Sequence, residues 1–355
     1  MTAPSSLVVN CGASRVSVGQ FQNRGGSLVL EKYASRELDT DFSVEENWLP
    51  ALTQALRQIS SETGMNGKCS AIIPGYLLLT KTTKIPHVEE SRRAQVIAYE
   101  AQQNIPYPLT DVVWGSQVIA DDGVETEVVF FAVRKEMADN FCGALSQAGF
   151  PPVSVQPASL LDINAYRLTE GEDSQDSLLI NIGARSSNLL FINAEGFFVR
   201  NITLGGNTLT QNIADNLGKN FGDAEKIKVE HFSGERSYDS DEQVSQVLGQ
   251  NREAFLKRLG QEITRSVVTY RRQRGAKAPA RLLLTGGGSL LPGLAEHLSK
   301  TQKMEVEPYD PSAGISLGSG VPSERENPLQ ASELIGEAAR GTLKAPASVN
   351  RLPER

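Results

Sequence analysis

The chain has 355 residues, 39% hydrophobic and 22% charged, with a formal net charge of −7. That length suits two domains with cores of ordinary size, and the acidic balance argues against a nucleic-acid or anionic-membrane surface over the whole molecule. Cys11, Cys69 and Cys142 are widely spaced with no C-x-x-C pair, which points away from a disulfide framework or a zinc site. No stretch approaches the roughly 20 apolar residues of a membrane helix and the first residues lack a leader pattern, so a cytoplasmic chain is expected, reaching a membrane only through a partner.

In chain order, an apolar strand ending in Leu7-Val8-Val9-Asn10-Cys11 meets a glycine turn at Gly12. Strands over 16–21 and 27–32 follow, with Gly25 in the turn between them. Ser43 and Glu46 have capping-box spacing. Trp48, Leu52, Leu56 and Ile59 then recur at helical spacing up to Gly64, a residue suited to the C-cap. Strand-like runs cover 70–73 and 76–80. From Pro86 to Phe150 the pattern is helix (90–103), strand (113–120), strand (127–133), helix, the last with a Met137, Phe141, Leu145, Ala148 stripe stopping at Gly149. This reads as a small α+β subdomain.

The run Leu178-Leu179-Ile180-Asn181-Ile182-Gly183-Ala184 then repeats the first strand. Asn10 and Asn181 lie 171 positions apart, as do Gly12 and Gly183, and Gly25 and Gly196. Strands over 188–192 and 197–201 complete a second meander, so two similar lobes are expected, not a solenoid. Asn207 is placed to cap a helix with an apolar face of Leu209, Ile213 and Leu217, and Asp223 to cap another. A long amphipathic helix covers 241–272, and a strand over 281–285 leads into Gly286-Gly287-Gly288, with Pro292 suited to the first turn of the next helix. Residues 308–328 read as a mobile Gly/Pro/Ser-rich loop, 329–340 as a short helix and 341–355 as a flexible tail. The division is then a first lobe of 1–85 and 151–177, an insert of 86–150, and a second lobe of 178–340 with its own smaller helical subdomain.

Glycine turns after apolar strands present backbone N–H groups that cradle phosphate oxygens. The duplicated meander, the triple-glycine turn and the long helix resemble the superfamily of actin, sugar kinases and heat-shock ATPases. Closer likeness rests on Glu100-Ala101-Gln102-Gln103-Asn104-Ile105-Pro106-Tyr107-Pro108, Ala148-Gly149-Phe150, Gly205-Gly206 with Leu209-Thr210, Ala224-Glu225-Lys226-Ile227-Lys228, and Glu262-Ile263-Thr264-Arg265-Ser266 through Tyr270. These resemble the PilM family of type IV pilus assembly proteins, related to the cell-division protein FtsA. The resemblance implies an α/β fold: two-lobed, actin-like (a duplicated ribonuclease H-like unit), with a small α+β subdomain inserted in the first lobe.

It also implies a nucleotide site. Asn10, Gly12 and Ser14 would form the first phosphate turn and Asn181, Gly183 and Ser187 the second. Gly205 and Gly206 would line the cleft, Glu225 and Lys228 would approach ribose and base, and Gly286, Gly287 and Gly288 would lie beside the adenosine. One helical turn apart, Glu225 and Lys228 read equally as a solvated ion pair. The family usually carries aspartate where Asn10 and Asn181 stand, and often lysine at Ser17. Magnesium prefers anionic oxygen ligands, and asparagine neither supplies charge nor accepts a proton. ATP hydrolysis is therefore expected to be impaired or absent, with ATP held weakly and magnesium disfavoured. The alternative keeps activity by placing the metal on another acid.

The resemblance further implies a scaffold that docks the N-terminal cytoplasmic peptide of a PilN-like inner-membrane protein, in a groove between the insert and the first lobe. That peptide resembles Ile-Asn-Leu-Leu-Pro. Val349-Asn350-Arg351-Leu352-Pro353 at this chain's own end is similar, so Val349, Asn350, Leu352 and Pro353 are candidates to fill the groove in the same or a neighbouring molecule; an ordinary polar terminus is the other reading. Two rivals share the fold: an active ATPase that times pilus assembly, and a small-molecule kinase, which needs a catalytic acid that the sequence does not reveal. Tyr270-Arg271-Arg272-Gln273-Arg274 suits a helix C-terminus or an acidic partner. His87, His231 and His297 have no ligand spacing.

Overall fold

A computed structural model describes residues 5–38, 45–171, 176–275, 277–321, 331–344 and 346–349. The first meander is β1 (Ser5–Cys11), β2 (Arg15–Arg24) and β3 (Ser27–Glu37), followed by α1 (Trp48–Thr63) and β4 (Cys69–Ile73). Next come β5 (Leu79–Pro86), α2 (Glu90–Asn104), β6 (Val112–Asp121), β7 (Glu125–Arg134), α3 (Lys135–Gln147), β8 (Pro152–Pro157) and α4 (Ala158–Glu170). The second meander is β9 (Ser177–Ile182), β10 (Ser187–Asn193) and β11 (Gly196–Ile202). After it run α5 (Gly206–Leu217), α6 (Phe221–Ser233), α7 (Glu242–Arg274), β12 (Arg281–Thr285), α8 (Leu294–Gln302), β13 (Glu305–Pro308), β14 (Ser316–Gly320) and α9 (Ser332–Ala339). Among the described residues no helix is long and apolar enough to cross a membrane.

Duplication is visible in strand order and in register. One sheet runs β14-β3-β2-β1-β4-β8 and the other β11-β10-β9-β12-β13. Without β14 the two orders are the same: an antiparallel meander continued by two parallel strands. Cys11 pairs with Val16 and Ile182 with Ser187; Asn10 pairs with Ser17 and Asn181 with Asn188. Each position recurs 171 residues later. The Gly25–Gly196 landmark does not keep this register. The first hairpin closes at Arg24 and Ser27, the second at Asn193 and Gly196, because the first has the longer arms.

The first sheet buries one face under α1 and α3, through Leu52, Leu56, Ile59, Phe141 and Leu145. Its other face is covered by α4 and α9, through Leu161, Leu334 and Ile335. In the second lobe α5, α6 and α7 close over β9–β12. Helix α7 starts at Asp241, whose side chain accepts from Val244 N–H, and stops at the left-handed Gly275.

Several boundaries differ from the sequence reading. β5, placed in the first lobe by a boundary at residue 85, pairs with β7 and is an edge of the inserted β5-β7-β6 sheet. β14 and α9, assigned to the second lobe, join the first: β14 pairs with β3, and α9 packs on α4 and against β1, β2 and β4. Within the expected mobile loop, residues 308–321 are ordered as the end of β13, a short 3-10 turn and β14. α6 is capped by Asn220, whose side chain accepts from Asp223 N–H, in place of Asp223 itself, and the cap position of α5 is Gly205, two residues before the expected Asn207. Ser43 of the expected capping box lies outside the described residues, and α9 spans Ser332–Ala339 within the expected 329–340. Of the tail expected to be flexible, Ala347 and Val349 are buried.

The insert is also tied to the second lobe. Glu127 on β7 meets Arg274 at the end of α7, 2.6 Å apart, both side chains only 8% exposed. Arg274 also donates to the Phe197 carbonyl at 2.8 Å. The basic end of α7 therefore holds an interdomain ion pair as well as complementing the helix dipole.

Candidate functional site

The ends of β1 and β9 open onto one cavity of about 630 Å³ between the lobes, within the usual range for ligand sites. Each wall follows from local chain geometry. A four-residue turn joins β1 to β2 and an equivalent one joins β9 to β10. In each turn the glycine leaves no space for a side chain: a Cβ on Gly12 would lie 2.7 Å from the Arg15 carbonyl oxygen, and one on Gly183 would lie 2.9 Å from that of Ser186. The indole N–H of Trp48 donates to the Gly12 carbonyl at 3.0 Å and fixes the first turn. Gly286 has φ 83° and presses on Asn181 and the backbone of Ile182, so the triple-glycine turn closes against the end of β9.

The predicted residues Asn10, Gly12, Ser14, Asn181, Gly183, Gly206, Glu225, Lys228, Gly286, Gly287 and Gly288 all line this cavity. Two predicted residues do not. Ser187 is fully buried and its hydroxyl donates to the Leu204 carbonyl at 2.6 Å; as the first residue of β10 it points into the core, and Ser186 lines the cavity in its place. One position along a strand exchanges faces. Gly205 lies behind the wall, against the backbone of Gly183 and Ala184. The first N–H groups of α5 are already bonded, from Gly206 to the Gly183 carbonyl (3.0 Å) and from Asn207 to that of Ala184 (2.7 Å). This helix end therefore braces the second turn and has fewer free donors for an anion than a bare N-terminus.

On one side wall Lys228 donates to Glu225 at 2.7 Å and to Thr210 at 2.9 Å, and the Thr210 hydroxyl also bonds Glu225. The pair is thus part of a three-member network with Thr210 buried behind it. The cations nearest the turns are Arg15, bonded to Ser35 and Glu37 at 2.9 Å, and Arg185, stacked 4.7 Å from the centre of the Tyr76 ring. They supply positive charge that Ser17 does not.

The floor holds what the sequence reading missed. The Asn10 side-chain amide donates to one oxygen of Glu333 at 2.8 Å, and that of Asn181 donates to the other at 3.1 Å. Asn181 also donates to both oxygens of Asp162, at 3.1 and 3.2 Å, and Ser332 donates to Asp162 at 2.7 Å. The floor is therefore not free of acids. Glu333 of α9 lines it and Asp162 of α4 lies buried behind Asn181, while the strand ends carry amides. Asp162 interrupts the apolar run Leu160-Leu161-Asp162-Ile163, a pattern that marks a buried acid. Glu333 left no such trace, because only the long-range docking of α9 brings it here. Among the described residues no group of three His, Cys, Asp or Glu is placed to hold a metal.

Burial, and then the Asp162 charge, push Glu333 up to about 8, against the amides of Asn10 and Asn181. Burial likewise raises Asp162, opposed by Ser332 and Asn181. The folded floor keeps protons that the unfolded chain releases, so stability falls as pH climbs from the ordinary carboxylate range toward about 8. Glu333→Gln should flatten that slope. Melting temperature measured from pH 5 to 8 should drop less in the variant than in the parent; parallel curves would show that Glu333 titrates normally.

The profile of the family described as type IV pilus assembly protein PilM matches residues 9–336. No curated protein matches the chain. Among solved structures, a PilM-PilN type IV pilus biogenesis complex matches with a TM-score of 0.76 at 25% identity, over 95% of this chain and 98% of that one. The ethanolamine utilization protein EutJ from Carboxydothermus hydrogenoformans shares the fold, with a TM-score of 0.51 at 13% identity over 96% of this chain and 90% of its own. With two lobes of one strand order facing a common cleft and a family profile spanning nearly the whole chain, the protein belongs to the PilM family of type IV pilus assembly proteins and has the actin-like fold.

Proposed function

We propose that this chain is a cytoplasmic scaffold of type IV pilus assembly. It docks the N-terminal peptide of a PilN-like inner-membrane protein and holds nucleotide weakly, with little or no hydrolysis. The observation that carries the second half is the cleft floor: two neutral amides at the strand ends, both engaged by Glu333. The first half is supported by the likeness, over 95% of the chain, to a structure titled as a PilM-PilN complex.

Backbone N–H groups of the turns at 12–15, 184–186 and 286–288 are the candidate donors to phosphate oxygens, the Gly183 N–H being already bonded to the Ser186 carbonyl at 3.0 Å, with Arg15 and Arg185 beside them. A bound ATP would supply charge and bulk to draw the lobes together. Magnesium fits this floor poorly. It needs oxygens free to face it and usually anionic, whereas Asp162 and Glu333 are bonded to amides and raised toward their neutral forms. The active-ATPase reading would have to recruit these two acids to orient and deprotonate water. Glu333, pushed up to about 8, already holds its proton near neutral pH and is a weak base for that step, and Asp162 is buried with its oxygens taken by Asn181 and Ser332.

Gly206 is a cleft glycine with room for a side chain, the Lys228 ammonium being the neighbour at 3.6 Å. Gly206→Trp should therefore block the cavity while the fold survives. Phosphate release from ATP by the parent chain should equal that of Gly206→Trp, while binding of a fluorescent ATP analogue falls at least tenfold in the variant. Turnover clearly above the blocked variant would establish an ATPase. For the docking half, an immobilised peptide from the N-terminus of the PilN-like partner should retain the chain where a scrambled peptide does not. Equal retention on both would remove that reading.

A further inference from the structure

Between the insert and the first lobe lies a second cavity, of about 560 Å³, lined by Trp114, Phe131, Ala138, Val155 and Pro157, with Val349 on its wall. The chain's own C-terminal segment is seated here by side-chain amides. Asn164 on α4 donates to the Ala347 carbonyl at 2.9 Å and accepts from the Ala347 N–H at 2.8 Å. Gln156 on β8 does the same for Val349, at 2.9 Å in both directions. Gln117 on β6 accepts from the Ser348 N–H at 3.0 Å.

A primary amide carries one acceptor and a donor in the same plane, as a backbone peptide does. Asn164 and Gln156 thus reproduce the two-way bonds that a neighbouring strand would make to alternate residues. Ala347 and Val349 are buried and Ser348 between them is less so, the alternation of a strand. Their side chains join an apolar cluster with Ile119, Val129, Phe131 and Leu160. Gly115 on β6 makes room: a Cβ there would fall far inside van der Waals contact with a Val349 methyl.

Gln156 is 1% exposed and Asn164 fully buried. Buried amides need partners, and these two bond the backbone of a segment whose side chains contribute only shape. Such a site reads any extended peptide that carries small aliphatic residues at alternate positions. We propose that it is a peptide-recognition groove that the chain fills with its own residues 346–349, so that a partner peptide of like chemistry enters by displacing them. The partner half deepens the docking reading above and rests on it; the self-occupancy does not. A tethered segment competes at high effective concentration, which makes displacement a regulated step.

The test uses the full chain and, as probe, a fluorescent peptide of its residues 345–355. Val349→Asp puts a charge in the apolar seat and should free the groove while leaving Gly115, Gln117, Gln156 and Asn164 in place. The probe should bind this variant at least tenfold tighter than the parent. A probe carrying the same aspartate should not bind. In a separate variant, Gly115→Ala, the seat itself is blocked: the probe should not bind, and the Ala347 and Val349 amides, protected from hydrogen exchange in the parent, should exchange freely. Equal probe affinity for the parent and Val349→Asp would overturn the proposal, as would no binding by a Val349→Asp chain that melts like the parent. A PilN-like peptide that binds Val349→Asp no better than the parent, with the probe behaving as expected, would overturn displacement alone and leave self-occupancy standing.

Discussion

A single carboxylate joins the two halves of the repeat. Asn10 and Asn181 occupy the same position in the two meanders, and the oxygens of Glu333 accept one amide from each. Both strands deliver their amides here because their hairpins share one register. Glu333 rides on α9, which packs in the first lobe, so its bond to Asn181 is a link across the cleft. Asp162 reinforces that link from α4. An acid placed between two amides is compatible with this geometry; an acid placed between two further acids is not, since like charges in a buried site repel and repel more strongly as water is excluded. The asparagines and Glu333 therefore make sense together. The strand ends carry neutral amides, and the carboxyl they bond stands on a helix.

The same economy organises the remainder of the molecule. The insert packs on both lobes through apolar side chains, Phe141 and Leu145 on one side and Ile119, Val129 and Phe131 on the other, and polar ties fix it at particular points. Glu127 reaches Arg274 of the second lobe, and Gln117 reaches the C-terminal segment that Gln156 and Asn164 clamp to the first. Ala347 and Val349 share an apolar cluster with residues of the insert, of α4 and of the second sheet, so this segment sits where all three parts meet. Helix α4 touches both the groove and the cleft: Asn164 bonds this segment and Asp162, two residues earlier, accepts from Asn181.

Much of this was legible in the residues. The two meanders announce themselves because apolar alternation and glycine turns are local properties, and their 171-residue offset is a register the folded sheets keep. The long helix and its glycine stop are equally local. What was misread depends on distance or on a single step. β14 and α9 return to the first lobe through pairing with β3 and packing on α4, which no local pattern encodes. Ser187 differs from Ser186 by one position on a strand, and that position decides between core and cleft. Asn220 and Asp223 both suit a cap, and only the geometry selects the first. The tail reads as polar and loose until three amides, one far away on each of β6, β8 and α4, are seen to bond it.

Acids placed at the two strand ends test the Glu333 bridge most directly. In an Asn10→Asp, Asn181→Asp double variant, two new carboxyls would face Glu333 and Asp162. Thermal unfolding near neutral pH, in chelator and then in millimolar-range magnesium, reads the consequence. The melting temperature should fall by several degrees in chelator, of the order expected for ~1–3 kcal/mol in a chain of this size, and magnesium should recover much of it. A double variant that melts with the parent in chelator and ignores magnesium would mean that Glu333 does not bridge the two strand ends.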